Sequence, residues 1–114
     1  MIANTETNLD RFVLGTVQFG TDYGIANLSG KPHKNQVFKI LELAWREGVR
    51  HFDTAPGYAS EILLGEFIAT HGLHNEVFVL TKLPKVEKSN TRSFINASIE
   101  SSLKKLGCKI DVLF

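Results

Sequence analysis

An acid, a phenol and an amine follow strand-like segments of this sequence, where they could act together on one substrate. Asp53 ends an apolar segment, Tyr58 follows it across a Pro-Gly turn, and Lys82 ends a second apolar segment. The pKa of a tyrosine, about 10, is too high for efficient proton transfer at neutral pH, but a nearby ammonium lowers it. A carboxylate beside that ammonium would fix its position. Together the three residue types predict a proton donor for a carbonyl oxygen.

The segments that must position these residues alternate between strand-like and helical patterns. Apolar residues recur at helical spacing from Val37 to Trp45, and two more helices are expected, one from Ser60 as N-cap and one from Asn90 or Thr91. Such strict alternation, with near-continuous apolar strands, predicts parallel strands joined by right-handed crossovers, in the order βαβαβαβ. The expected strands are 11–20, 49–55, 76–83 and 109–114, with the first of them expected to be buried, and the helices end near Gly48, Gly72 and Gly107.

Two α/β architectures have this element order, a doubly wound sheet and a (β/α)8 TIM barrel. The first strand-to-helix connection contains FGTDYGIAN and lacks the GxGxxG pattern, which weakens a dinucleotide-binding doubly wound sheet. A complete barrel needs about 250 residues. The 114 residues are about half of that length or less, and both architectures stay open on this evidence.

Side-chain alternation along the predicted strands indicates which residues share a face. His51 and Asp53 fall on one side of the second strand, and Phe78, Leu80 and Lys82 fall on one side of the third. Asp53 and Lys82 both lie at the carboxyl ends of their strands, the edge at which α/β folds place their chemistry. Tyr58, in the following loop, is expected just above the same edge.

Each of these residues also has an ordinary structural explanation. Asp53 alone is more often a turn acid, Lys82 a solvated strand end and Tyr58 a surface aromatic residue. Glu61 is most simply an acid stabilised by a helix dipole, and His51 a packed, hydrogen-bonded histidine inside the barrel. The joint placement at one edge, rather than any single residue, favours a functional site.

Several segments resemble the aldo-keto reductase family, over roughly residues 12–114. FDTAPGY followed by SEILLG resembles the family's signature, and LGTVQFG and LTKLP resemble its first strand and its lysine-bearing strand. IESSLKKLG followed by IDVLF resembles the family's third helix and fourth strand. The resemblance implies that Asp53, Tyr58 and Lys82 are three members of the family's catalytic Asp-Tyr-Lys-His set, with Tyr58 as general acid.

The same resemblance implies a nicotinamide cofactor, which is NADPH or, in some members, NADH. The cofactor would supply the hydride for reduction of an aldehyde or ketone, and its oxidised form would accept a hydride in the reverse alcohol oxidation. Gly15, Thr16 and Val17, together with Asp53, match positions on the nicotinamide side of the cofactor site. The family's histidine would fall about two positions beyond Phe114. The resemblance therefore implies that residues 1–114 are a single partial domain, the N-terminal portion (βαβαβαβ) of an incomplete (β/α)8 TIM barrel. We expect this fragment to be inactive alone.

Two alternatives stay open at this point. The chain could be a non-catalytic half-barrel that serves as a binding or assembly module, for which the open barrel edges would promote self-association. It could also belong to another class of (β/α)8 enzyme, in which case Tyr58→Phe would have little effect.

Composition indicates which partners, which cellular location and which metal content to expect. The 114 residues carry a formal net charge of +1, which gives no reason to expect a nucleic-acid or membrane partner. The first ten residues lack a signal peptide pattern, and Cys108 is the single cysteine, so we expect a cytoplasmic protein. No cluster of His, Cys and Asp has metal-ligand spacing, so no metal is expected.

Overall fold

A computed structural model describes residues 9–19, 33–56, 59–85 and 91–114. Within them, four parallel strands form one sheet in the order β1-β2-β3-β4, which confirms the predicted α/β alternation. The strands are β1 (Val13–Gly15), β2 (His51–Asp53), β3 (Phe78–Thr81) and β4 (Val112–Leu113), and the helices are α1 (Lys34–Arg46), α2 (Ser60–His71) and α3 (Thr91–Leu106). Short 3-10 turns occupy Leu9–Arg11 and Val17–Phe19.

All four strands are shorter than predicted, and the prediction of a buried first strand is wrong. Val13 and Gly15 are exposed because β1 is an outer strand of the described sheet, and residues beyond Thr16 turn into a 3-10 helix. The fourth strand is short for a different reason. The carboxylate of Asp111 accepts the main-chain N–H of Val79, at 2.8 Å, immediately before β4 begins.

The hydrophobic core lies between the sheet and the three helices. Phe52 and Val79 point toward the helices, are fully buried, and pack in a single apolar cluster with side chains of all three helices. The indole of Trp45 stacks on the ring of Phe52, with centroids 6.3 Å apart. Because successive strand residues point to opposite faces, burial of Phe52 directs Asp53 to the other face of the sheet. The helical core residues are Val37, Leu41, Leu64, Phe67, Ile68 and Leu106.

The helix ends follow the predicted glycines, but one predicted cap is wrong. Gly72 ends α2 and Gly107 follows α3, both with left-handed backbone conformations. Ser60 is not the N-cap of α2: Ala59 occupies that position, and Ser60 is the first helical residue. The Ser60 hydroxyl instead forms a buried hydrogen bond with the Thr54 hydroxyl, which is 2.7 Å away. Asn90, the alternative cap of α3, lies outside the described residues.

We expect Gly72→Ala to destabilise the fold by about 1 kcal/mol, because φ at this residue is 65° and a Cβ strains a left-handed backbone. No atom lies within 4 Å of the added Cβ, so the loss comes from backbone strain alone. Gly72→Asn should cost less, since asparagine tolerates this conformation better than alanine. Urea unfolding of the three proteins measures the difference. Equal stability of the alanine variant would contradict the backbone argument.

Cys108, in the connection from α3 to β4, is half-buried and belongs to the edge of the core. Burial raises the pKa of its thiol, and the nearby carboxylate of Asp111 raises it further. A raised pKa leaves less thiolate, the reactive form, at any pH below it. At pH 8 we therefore expect iodoacetamide to alkylate the folded chain more slowly than the urea-unfolded chain. Equal rates would show that the fold neither shields the thiol nor raises its pKa.

Two other kinds of site are absent from the described ranges. No helix in them is long and apolar enough to cross a membrane. Likewise, residues 9–19, 33–56, 59–85 and 91–114 contain no group of three or more His, Cys, Asp and Glu side chains placed to hold a metal ion.

Candidate active site

The structure brings Asp53 and Lys82 together at the carboxyl ends of β2 and β3. The parallel register pairs Asp53 with Leu80, so Lys82 lies two residues further along and reaches back across the strand end. Its Nζ donates to Asp53 Oδ1 at 2.7 Å and to the carbonyl oxygen of Thr54 at 3.0 Å. The two side chains are 42% and 36% exposed, so the ammonium is fixed by two acceptors yet open to a ligand.

Tyr58 lies outside the described residues, and its convergence on this ion pair stays a prediction. The two ends of its loop are described, however. Thr54 lies just before the loop and Ser60 just after it, and their hydroxyls are hydrogen-bonded at 2.7 Å. This buried bond joins two described residues, six positions apart, that flank the segment containing Tyr58.

A pocket of about 230 Å³ opens beside the ion pair, at the carboxyl ends of the first three strands. It brings together every residue that we predicted for the cofactor site, and Lys82 with them. At Gly15, no atom of the described residues other than its chain neighbours lies within 4 Å of the position that a Cβ would take, so this glycine leaves room at the pocket wall. The lining residues are Gly15, Thr16, Val17, Asp53, Thr54, Ala55 and Lys82.

Thr16 lines this pocket, but its hydroxyl is hydrogen-bonded within the fold. Both its main-chain N–H and its Oγ1 donate to the carbonyl oxygen of Asp53, each at 2.9 Å, and the residue is fully buried. Its hydroxyl is therefore already engaged in attaching the end of β1 to the end of β2. Within the predicted cofactor set, Gly15 and Val17 are better placed to contact a ligand.

Sequence reasoning missed a buried polar cluster directly behind the ion pair, formed by Thr54, Ser60, Glu61 and Thr81. Glu61 lies in the first turn of α2, as predicted, but it is fully buried, and Thr81 Oγ1 donates to its Oε2 at 2.7 Å. One sequence signal could have indicated the cluster. Thr81 occupies the helix-facing position of β3, where an apolar residue is the normal choice.

His51 lies deeper on the same face as Asp53, and its ring packs against Phe78, with centroids 4.6 Å apart. We expected a hydrogen-bonded histidine, but the buried Nδ1 has no hydrogen-bond partner within the described part of the chain. The phenyl ring of Phe78 packs the imidazole without offering it an acceptor. The histidine therefore has no assigned chemical role.

Comparison with known proteins explains why these residues occur together. A sequence profile of the aldo/keto reductase family matches residues 11–114. An aldo-keto reductase of Mycobacterium tuberculosis is 36% identical over 85 residues, which cover 74% of this chain and 28% of that protein. A Saccharomyces cerevisiae protein named for aryl-alcohol dehydrogenase activity is 27% identical over an alignment of 143 residues, gaps included. The alignment covers 98% of this chain and 40% of the length of that protein.

The fold agrees with the sequence match. The crystal structure of a Bombyx mori aldo-keto reductase in complex with NADP superposes with a TM-score of 0.67 and 34% identity, covering 89% of this chain and 32% of that protein. This chain thus spans between 28% and 40% of the length of these three proteins. The four described strands correspond to part of a (β/α)8 barrel. On these grounds the chain belongs to the aldo/keto reductase family.

Proposed function

We propose that these 114 residues supply the first four strands and part of the active site of an NADPH-dependent carbonyl reductase. The Lys82–Asp53 ion pair carries the proposal, because it lies at the mouth of a pocket lined by Gly15, Thr16 and Val17. The substrates are aldehydes or ketones, or alcohols in the reverse direction. The catalytic unit is a complete barrel, of which residues 1–114 form a single partial domain. This part is inactive alone.

In this mechanism Tyr58 is the general acid. Its phenolic hydroxyl would donate a proton to the carbonyl oxygen of the substrate, and NADPH, when bound, would supply a hydride. The ammonium of Lys82 would stabilise the phenolate that remains and so lower the pKa of Tyr58. Asp53 and the carbonyl oxygen of Thr54 hold the ammonium in place, at 2.7 and 3.0 Å.

The residues present fit the reacting end of the cofactor. The pocket, at about 230 Å³, is smaller than the roughly 300–1,000 Å³ of typical small-molecule sites, so it suits one end of a dinucleotide. Gly15 and Val17 would hold the nicotinamide end from the β1 side, and Asp53 from the β2 side. The NADP complex of the Bombyx mori relative supports NADPH, and NADH is the alternative cofactor.

The test is a fluorescence titration of NADPH against the purified chain, with light scattering on the same sample, followed by an assay of aldehyde-dependent NADPH oxidation. Saturable binding by one defined species supports the pocket. In any protein preparation that reduces the aldehyde, we expect Tyr58→Phe to lower the rate of NADPH oxidation by about 10²–10⁴-fold, since general acid catalysis contributes that much. Tyr23→Phe, at the other tyrosine, is the matched control. Unchanged activity of Tyr58→Phe would reject this mechanism.

One observation favours the non-catalytic alternative, an assembly module. Large apolar side chains at both outer strands are exposed, which leaves surface for a partner or a second copy of the chain. Sedimentation of the purified chain tests this, because self-association without NADPH binding is the outcome expected of such a module. The exposed side chains are Phe12, Val13, Leu113 and Phe114.

A cytoplasmic location is the last component of the proposal. A single cysteine is compatible with a reducing compartment, and NADPH is the reductant that the chemistry requires.

A further inference from the structure

We propose that Ser60 and Glu61, the first two residues of α2, are positioning residues that hold the Asp53–Lys82 ion pair in its catalytic geometry. The geometric part of this proposal is independent of the reaction. Its catalytic consequence rests on the proposed reductase function.

The contacts connect these two residues to both members of the pair. Glu61 Oε2 accepts from the hydroxyl of Thr81, at 2.7 Å, and Thr81 is the residue directly before Lys82. Ser60 Oγ is hydrogen-bonded to the hydroxyl of Thr54, at 2.7 Å, and Thr54 is the residue directly after Asp53. The first turn of α2 therefore holds the end of β2 and the end of β3 at the same time.

Thr54 also acts on Lys82 directly. Its carbonyl oxygen accepts from Lys82 Nζ at 3.0 Å, while its hydroxyl is bound to Ser60. A shift of Thr54 would therefore move one of the two acceptors that hold the ammonium. The same hydroxyl pair restrains the two ends of the loop that contains Tyr58.

Burial strengthens these hydrogen bonds. Thr54, Ser60, Glu61 and Thr81 are each at most 1% exposed, so water does not compete for their hydrogen bonds. Glu61 Oε1 has no partner among the residues that the structure describes. The Thr81 hydroxyl is thus the principal hydrogen-bond donor to this buried group.

A general contribution to stability does not account for this arrangement. Helix α2 is already attached to the sheet by Leu64, Phe67 and Ile68, all of them almost fully buried in the core. Apolar contacts suffice to attach a helix but are non-directional. The polar contacts join residues immediately adjacent to the ion pair, where a displacement of about 1 Å can lower a reaction rate about 10²-fold.

The experiment compares near-isosteric variants by the NMR signal of the Lys82 ammonium group. The ammonium groups of the chain are observed by NMR with ¹⁵N-labelled lysine, and the signal of Lys82 is assigned by its loss in Lys82→Arg. Thr81→Val removes the hydroxyl that Glu61 accepts from, whereas Thr81→Ser retains it. Ser60→Ala removes the second contact, and Ser101→Ala, at an exposed serine of α3, is the control. Thermal unfolding of each variant reports folding separately.

We expect the hydrogen-bonded ammonium signal of Lys82 to be lost in Thr81→Val and in Ser60→Ala, and to be retained in Thr81→Ser and Ser101→Ala. Where carbonyl reduction is measurable, kcat should fall about tenfold or more in the first two variants, with less than a twofold change in KM for NADPH. Loss of the signal in these variants, with no reductase activity in a complete barrel that contains residues 1–114, would support the positioning role and count against the proposed function alone.

Two results overturn the proposal. One is a Lys82 signal that is unchanged in folded Thr81→Val and folded Ser60→Ala. The other is failure of both variants to fold, because the contacts would then serve global stability and not the position of the ion pair. If only Thr81→Val fails to fold, Ser60→Ala decides, since it removes a single hydroxyl and leaves the Glu61–Thr81 bond in place.

Discussion

In a complete barrel that contains residues 1–114, replacement of Lys82 by methionine is expected to lower kcat/KM for aldehyde reduction by about 10²–10⁴-fold, the range contributed by general acid–base catalysis. Methionine has a similar length but no charge, so it cannot stabilise the phenolate of Tyr58. It also leaves Asp53 without the donor that now lies 2.7 Å from its carboxylate. The measurement is aldehyde-dependent oxidation of NADPH at pH 7.

The matched control is Lys85→Met, three residues further along the same segment. Lys85 is exposed and does not line the pocket, so its replacement should leave the rate unchanged. The affinity for NADPH provides a second control, because loss of the ammonium that acidifies Tyr58 lowers kcat more than it weakens NADPH binding. If Lys82→Met and Lys85→Met were equally active, the ion pair would be a structural contact and not part of a catalytic site.

Gly65→Ala is expected to destabilise the chain by about 3 kcal/mol or more, the upper part of the range for overpacked interiors. Gly65 lies inside α2, where it faces the last turn of α3. A Cβ at this position would lie 2.0 Å from the carbonyl oxygen of Lys105 and 3.1 Å from the Cα of Leu106. Main-chain atoms cannot rotate away, so the two helices would have to separate.

Intrinsic helix propensity predicts the opposite sign for this substitution. Alanine is favoured over glycine inside a helix by about 1 kcal/mol, so without the contact with α3 the variant would be stabilised. Urea unfolding followed by circular dichroism separates the two expectations. Gly15→Ala is the control, because no atom lies within 4 Å of its added Cβ and folding should be unaffected. A Gly65→Ala chain as stable as the wild type would mean that α2 and α3 do not approach this closely.

The alternation of strands and helices could be predicted because it depends on local patterns. Helical spacing from Val37 to Trp45 and glycines at 72 and 107 identify helices and their ends within a few residues. Strand lengths were predicted poorly for a physical reason. An apolar segment such as 11–20 can extend, but hydrogen bonding to β2 is what makes three of its residues a strand.

The candidate site was predictable in part. Asp53 and Lys82 could be assigned to adjacent strand ends, since parallel strands bring their carboxyl ends to one edge. Their hydrogen bond at 2.7 Å depends on the register of β2 with β3, which no local pattern encodes. The burial of Glu61 was not predictable, because its partner Thr81 is 20 residues away in sequence.

Three features of this protein follow from the amino-acid sequence alone: the order of the elements, the ends of the helices and the residue types available at the strand ends. Each of them depends only on residues that are close together in the sequence. Packing of α2 against the sheet and against α3 decided the rest. It made Glu61 an internal acceptor, and it made Gly65 a point of contact between helices. These roles arise from side chains and backbones that meet across the fold, and the free energy of such contacts exists only once the chain is folded.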